Sequence, residues 1–160
     1  MLLKKILLVI FFTSLFVPHL FSQDLRKAFD SFIGTWDGNY EINEYKNIET
    51  MSNSWILGGK YFRIEIAGEL ADNPSARYFS LSLFTLDKDD NIIGWFFNEN
   101  GYRGQFTWKG KVINNMVEIS GKNSSGSTKM TFEMKDGKLI NKREYNFGSI
   151  IKTEVIFSKR

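Results

Sequence analysis

The stretch Phe32-Ile33-Gly34-Thr35-Trp36-Asp37-Gly38-Asn39-Tyr40 decides how the rest of this chain is read. A Gly-Thr pair leads into Trp36, and Gly38, Tyr40 and Ile42 follow it at two-residue spacing, opposite Thr35, Asp37, Asn39 and Glu41. Period two of this kind marks a half-buried strand. A large aromatic at the entry of such a strand suits the tapering floor of a β-barrel, where it fills what would otherwise be a void.

Working back from that stretch, Asp24 to Ile33 places Leu25, Phe29, Phe32 and Ile33 at helical spacing, with Asp24 available as an N-cap and Gly34 as the stop. This reads as a short amphipathic helix lidding one end of the barrel. Farther back, Lys4 and Lys5 precede the apolar run Ile6 to Val17, and Pro18, His19 and the small Ser22 follow. That order is a secretory leader, and an apolar run of 12 residues is short for a bilayer span. The expected organisation is a signal peptide at 1–22 and one barrel domain at 23–160, periplasmic or extracellular, with no stable membrane span after cleavage.

Cysteine is absent and His19 is the only histidine, so the mature domain would hold neither. This excludes disulfides, the usual zinc sites, His-activated nucleophiles and His-ligated haem, and no cofactor is expected. Losing Lys4 and Lys5 from 21 basic side chains, against 18 acidic ones, brings the net charge to about +1. No basic stripe emerges, so nucleic acid is not an expected partner.

Beyond Tyr40 the chain keeps to short strands. A second, about Ile48 to Leu57, carries Met51 and Trp55 on one face and breaks at Gly58-Gly59. A third sets Phe62, Ile64 and Ile66 opposite Tyr61, Arg63 and Glu65, before a loop from Gly68 to about Ser75. The fourth (Arg77 to Asp87) and fifth (Ile92 to Phe97) are apolar on both faces, which predicts burial on both sides. Asn100-Gly101 is a hairpin signal before a sixth strand with Gly104, Phe106 and Trp108 on one face. Met116 to Gly121 is the seventh. In the eighth, Thr128 to Lys135, Met130, Phe132 and Met134 point inward. Asp136-Gly137 and Gly148-Ser149 then turn the chain into the ninth (Lys138 to Phe147) and tenth (Ile150 to Ser158). No connection is long enough for a parallel crossover. The predicted fold is all-β, an antiparallel up-and-down barrel of about ten strands with a short N-terminal helix.

Gly34-Thr35-Trp36 after a short helix, Trp55-Ile56-Leu57-Gly58-Gly59-Lys60-Tyr61-Phe62 one strand later and the closing Phe157-Ser158-Lys159-Arg160 resemble the lipocalin-like domains of exported bacterial proteins. Those domains are similar to nitrobindin-like barrels of the calycin group. The resemblance covers roughly Phe29 to Arg160 and implies a pocket for a small apolar or planar ligand. Haem-binding members use a histidine near the C-terminal strands, and no position here matches it.

Candidate ligand-binding residues are Trp55, Arg63, Glu65, Trp95, Trp108, Arg143 and Tyr145. The three tryptophans sit mid-strand, where they either stack on a flat ligand or serve as core. If Leu139, Tyr145 and Phe147 point inward, Arg143 does too, and a buried guanidinium needs a carboxylate partner or an anionic ligand. Glu65 is one candidate partner; the alternative places both Arg63 and Arg143 outward in solvated cross-strand pairs. Asp87-Lys88-Asp89-Asp90-Asn91 resembles the start of a calcium loop but has Ile92 at the sixth position and Asn98 at the twelfth, so it reads as a hairpin turn. The expected function is non-catalytic binding of a small hydrophobic or amphipathic molecule. A structural or interaction barrel with a filled core and an enzyme using inward Glu, Tyr and Arg side chains are the alternatives.

Overall fold

A computed structural model of the chain describes residues 20–42, 44–86, 92–99, 101–113, 116–124 and 126–160. The expected leader lies outside the described residues except for 20–22, which begin the helix. The turn expected at 87–91, Asn100 and the side-chain faces of 101–107 also lie outside them.

Among the described residues one helix, α1 (Leu20–Asp30), precedes ten strands: β1 (Gly34–Ile42), β2 (Tyr45–Ile56), β3 (Tyr61–Leu70), β4 (Asn73–Leu86), β5 (Ile92–Asn98), β6 (Gly101–Ile113), β7 (Met116–Asn123), β8 (Gly126–Lys135), β9 (Lys138–Asn146) and β10 (Ile150–Lys159). Each strand pairs antiparallel with its neighbour in sequence, and β1 pairs with β10 to close the barrel. The seam is fastened from the last residue. Arg160 donates its backbone N–H to the Thr35 carbonyl at 2.9 Å and its guanidinium to the Asp37 carboxylate at 2.7 and 2.8 Å. Closure removes the free sheet edges that a ten-stranded meander would otherwise expose. Asp136 and Gly137 both take positive φ, 51° and 73°, as a two-residue hairpin turn requires.

Alternation along the strands sorts the side chains. Trp36, Met51, Phe62, Phe132, Leu139, Val155 and Phe157 are buried inside. Lys129, Lys135 and Lys142 stand outside, in register with the expectation for β8 and β9.

Several features differ from the sequence reading. The helix begins at Leu20, so Asp24 lies inside it and does not cap it, and Ile33 falls beyond the last turn with 39% exposure. The expected loop from Gly68 to Ser75 shrinks to a tight turn at Ala71-Asp72, with Ala71 N–H bonded to the Lys46 carbonyl. Pro74 is accommodated at the start of β4, where a missing N–H costs little. The apolar outer positions of β4 and β5 are not covered: Phe79 is 44% exposed, and Leu81, Leu83, Ile93 and Trp95 are half-buried. A barrel wall is a single layer, so residues pointing away from its interior meet solvent.

The helix closes one end. Phe29 packs on Phe62 and Phe84, with ring centroids 4.6 and 6.5 Å away, and Phe32 packs on Phe132 at 5.6 Å. The Phe32 carbonyl, just past the end of α1, accepts from Trp36 Nε1 at 2.9 Å and from Asn53 Nδ2 at 3.0 Å. Trp36 is therefore both filler and fastener of the floor. With α1 seated there, the lower half of the barrel is packed with aromatic side chains and the space that remains lies toward the other end.

Candidate functional site

The upper half of the barrel encloses a cavity of about 390 Å³, within the range typical of small-molecule sites. Its walls mix apolar side chains (Met51, Ile64, Ile66, Phe96, Met130, Phe132) with Ser80, Ser82, Thr128 and Thr153. Phe147 and Ile151 stand at its rim, 48% and 45% exposed, and Phe79, at an outer position near the start of β4, reaches the same rim.

A polar cluster occupies the interior. Asn47, Glu49, Met51 and Asn53 alternate inward along β2, and Asn141 and Arg143 do so along β9. Across the barrel Arg143 grips Glu49 through two parallel hydrogen bonds, NH1 to Oε1 and NH2 to Oε2, each 2.8 Å. Both are shielded from water, with Glu49 1% and Arg143 7% exposed. Arg143 Nε donates to Asn141 Oδ1, and Asn141 Nδ2 donates to the Thr131 carbonyl at 3.0 Å. On the other side the Tyr78 hydroxyl donates to Glu49 Oε1 at 2.7 Å, with the Tyr40 hydroxyl 3.1 Å from that of Tyr78. A buried charge is tolerable only when paired and hydrogen-bonded, and this one satisfies both conditions.

Glycine makes room for the cluster. Gly38 and Gly68 flank Glu49 in register on the neighbouring strands, and Gly68 is paired with Tyr78. A Cβ at Gly68 would overlap the Tyr78 ring, so the bare backbone there lets the phenol lie across β3 and reach Glu49.

The electrostatics follow from burial. Desolvation, with the negative charge of Glu49 beside it, raises the Tyr78 phenol far above its ordinary value. Burial also raises Tyr40, with its contact to Tyr78 opposing the shift, and raises Tyr145 despite the nearby Arg143 charge. For Arg143 burial works against the charged form, yet the hydrogen bond and charge of Glu49 outweigh it and hold the guanidinium protonated. The site is thus a charge-compensated pair surrounded by neutral hydroxyl groups.

The seven sequence-predicted residues separate into three places. Trp108, Arg143 and Tyr145 line the cavity. Trp55 lies at the helix end, where Nε1 donates to Asp30 Oδ1 at 2.6 Å and the Arg26 guanidinium stacks 4.4 Å from the ring centroid. Arg63, Glu65 and Trp95 are on the outer wall: Arg63 and Glu65 form a half-exposed ion pair at 3.5 Å, and Trp95 meets Tyr61 at 6.0 Å. The partner of Arg143 is Glu49 and not Glu65. Phe62, Ile64 and Ile66 take the inward positions of β3, which turns Glu65 out. Tyr40, Glu49, Tyr78 and Asn141 are the residues that sequence reading left out of the site. Glu49 had a usable signal, because it is in phase with Met51 and Trp55; Tyr78 had none, because β4 is apolar on both faces.

No protein-family model matches this chain, and no curated protein matches it.

Proposed function

We propose that the chain is an exported, lipocalin-like barrel that binds a small hydrophobic or amphipathic molecule and does not transform it. One observation carries this reading. The barrel is plugged with aromatics at its helix end and keeps a cavity of about 390 Å³ at the other, with apolar walls, an apolar rim and a buried polar cluster inside. Apolar surface gives affinity for the body of a ligand, and a few fixed polar groups orient it. A cavity of this size counts against a barrel filled by its own side chains. Against catalysis stands the state of the polar groups. The phenols are held protonated, and the Glu49 oxygens already accept from Arg143 twice and from Tyr78 once, which leaves the carboxylate poorly placed to take a substrate proton. Export rests on the leader-like order of residues 1–22.

Native mass spectrometry of protein purified from its own host tests the reading. A non-covalent adduct of a small lipophilic molecule, lost on mild activation, is the expected result. Repeatedly empty preparations, together with no binding of lipophilic probes, would overturn it.

A further inference from the structure

We infer that the molecule this cavity accepts is uncharged, with a hydroxyl or carbonyl at its buried end. This rests on the binding reading above and narrows it. The charged side chains that line the cavity among the described residues are Glu49, Arg143 and, at the rim, Glu99. Glu49 and Arg143 neutralise each other through two 2.8 Å bonds, so the interior offers no net positive charge. A carboxylate entering it would either take Arg143 and strand Glu49, or sit desolvated without a counter-charge. An ammonium placed on Glu49 would lie against the guanidinium.

A neutral oxygen finds what the charged groups do not. The one Tyr78 hydroxyl proton goes to Glu49, so Tyr40 donates to Tyr78 and its own oxygen keeps a lone pair for a ligand hydroxyl. Each terminal nitrogen of Arg143 gives one N–H to Glu49 and keeps a second that no described residue accepts, which suits a carbonyl oxygen. Thr153 Oγ1, on the same cavity wall, is buried without a hydrogen-bond partner. Buried polar groups normally have partners, and Thr153 Oγ1 and the open positions on Tyr40 and Arg143 belong to residues that line one cavity, so the polar head of a ligand has more than one place to bond.

The test uses the full chain and two probe series, followed by calorimetry at pH 7.5: 1-decanol, decanoate and decylammonium, and naphthalene, 2-naphthol and 2-naphthoate. The neutral oxygen-bearing probe is expected to bind at least about tenfold tighter than its carboxylate. Since any apolar pocket favours the neutral member somewhat, two variants separate recognition from hydrophobicity. Tyr40→Phe is expected to weaken 2-naphthol about fivefold and leave naphthalene unchanged. Glu49→Gln, which uncovers the Arg143 charge, is expected to raise decanoate affinity about tenfold. Decanoate binding as tightly as decanol to the unaltered protein overturns the inference and leaves the binding reading standing. An unchanged preference for 2-naphthol over naphthalene in Tyr40→Phe also overturns it, and does so even if Glu49→Gln fails to fold. If no member of either series binds, both readings fall.

Discussion

Glu49 and Arg143 are 94 positions apart in the chain and meet inside the barrel through two parallel hydrogen bonds of 2.8 Å. β2 and β9 lie on different parts of the wall, so the pair ties two strands that share no ladder. Its members depend on each other, because either one alone would be a buried charge. Arg143→Met and Glu49→Gln are each expected to cost about 3–5 kcal/mol, and the double variant less than the sum of the two. Urea unfolding of the four proteins measures the coupling. Additive losses would mean that the pair is solvated and that the burial argument is mistaken.

Phe29 is the second long-range tie, since it brings α1 against Phe62 of β3 and Phe84 of β4. Phe29→Ala removes a ring that is 3% exposed and leaves the floor with a cavity that its neighbours fill only in part. The expected loss is about 3–5 kcal/mol. The same change is expected to speed amide exchange in α1 before exchange accelerates in β7 to β9, which hydrogen-exchange mass spectrometry reads directly. Uniform acceleration across the barrel would show that helix docking is not separable from the fold.

How far the sequence disclosed this molecule depends on where its alternation was unambiguous. β1 and β8 alternate cleanly between apolar and polar, so Trp36, Met130 and Phe132 could be turned inward from the text alone. In β9 the phase set by Leu139 and Tyr145 would carry Arg143 inward, while an arginine on a strand is more often expected outward in a solvated pair, and the burial of Arg143 against Glu49 corrects that expectation. β4 and β5 are apolar at both phases, and period two then gives no direction. Trp95 therefore reads as a site residue although it stands on the outer wall, and nothing in the alternation marks Tyr78, which faces Glu49. Pairing across the barrel is a further limit. Nothing local to Arg143 distinguishes Glu49 from Glu65, and only closure of the sheet, with Glu65 in the outward phase of β3, decides between them.

The three cavity phenols make a titration prediction. Burial raises Tyr40, Tyr78 and Tyr145 above the ordinary value of 10.0, most of all Tyr78 beside the Glu49 charge. A group whose folded value is raised supports the folded state below its unfolded value, and that support drains as pH climbs toward the folded value. Stability is therefore expected to fall above about pH 10, with cooperative unfolding releasing the held protons together. At about pH 11 the phenolate absorbance of the folded protein should fall short of that in denaturant, with Tyr78 contributing to the shortfall. Equal phenolate absorbance in the folded and denatured protein would show the cavity to be open to water at Tyr40, Tyr78 and Tyr145.

Gly68 offers a way to disturb the polar cluster without touching any of its hydrogen-bonding groups. It lies opposite Tyr78 in the β3–β4 ladder, and the Tyr78 ring occupies the space that a Cβ would take. In Gly68→Ala the ring must swing off the strand, which lengthens its 2.7 Å bond to Glu49 and separates it from Tyr40. The expected cost is about 1–3 kcal/mol, the range for forcing an extra carbon into a packed site. Ionisation of the phenols in the folded protein should then begin at lower pH than in the unaltered one, because Tyr78 loses burial and leaves the carboxylate that opposes its ionisation. Tyr78→Phe supplies the control. It removes the same hydrogen bond without the clash, so Gly68→Ala in that background should cost less than it does alone. An equal cost in both backgrounds would mean that the penalty is the overlap with the ring itself, which Phe retains, and not the lost hydrogen bond.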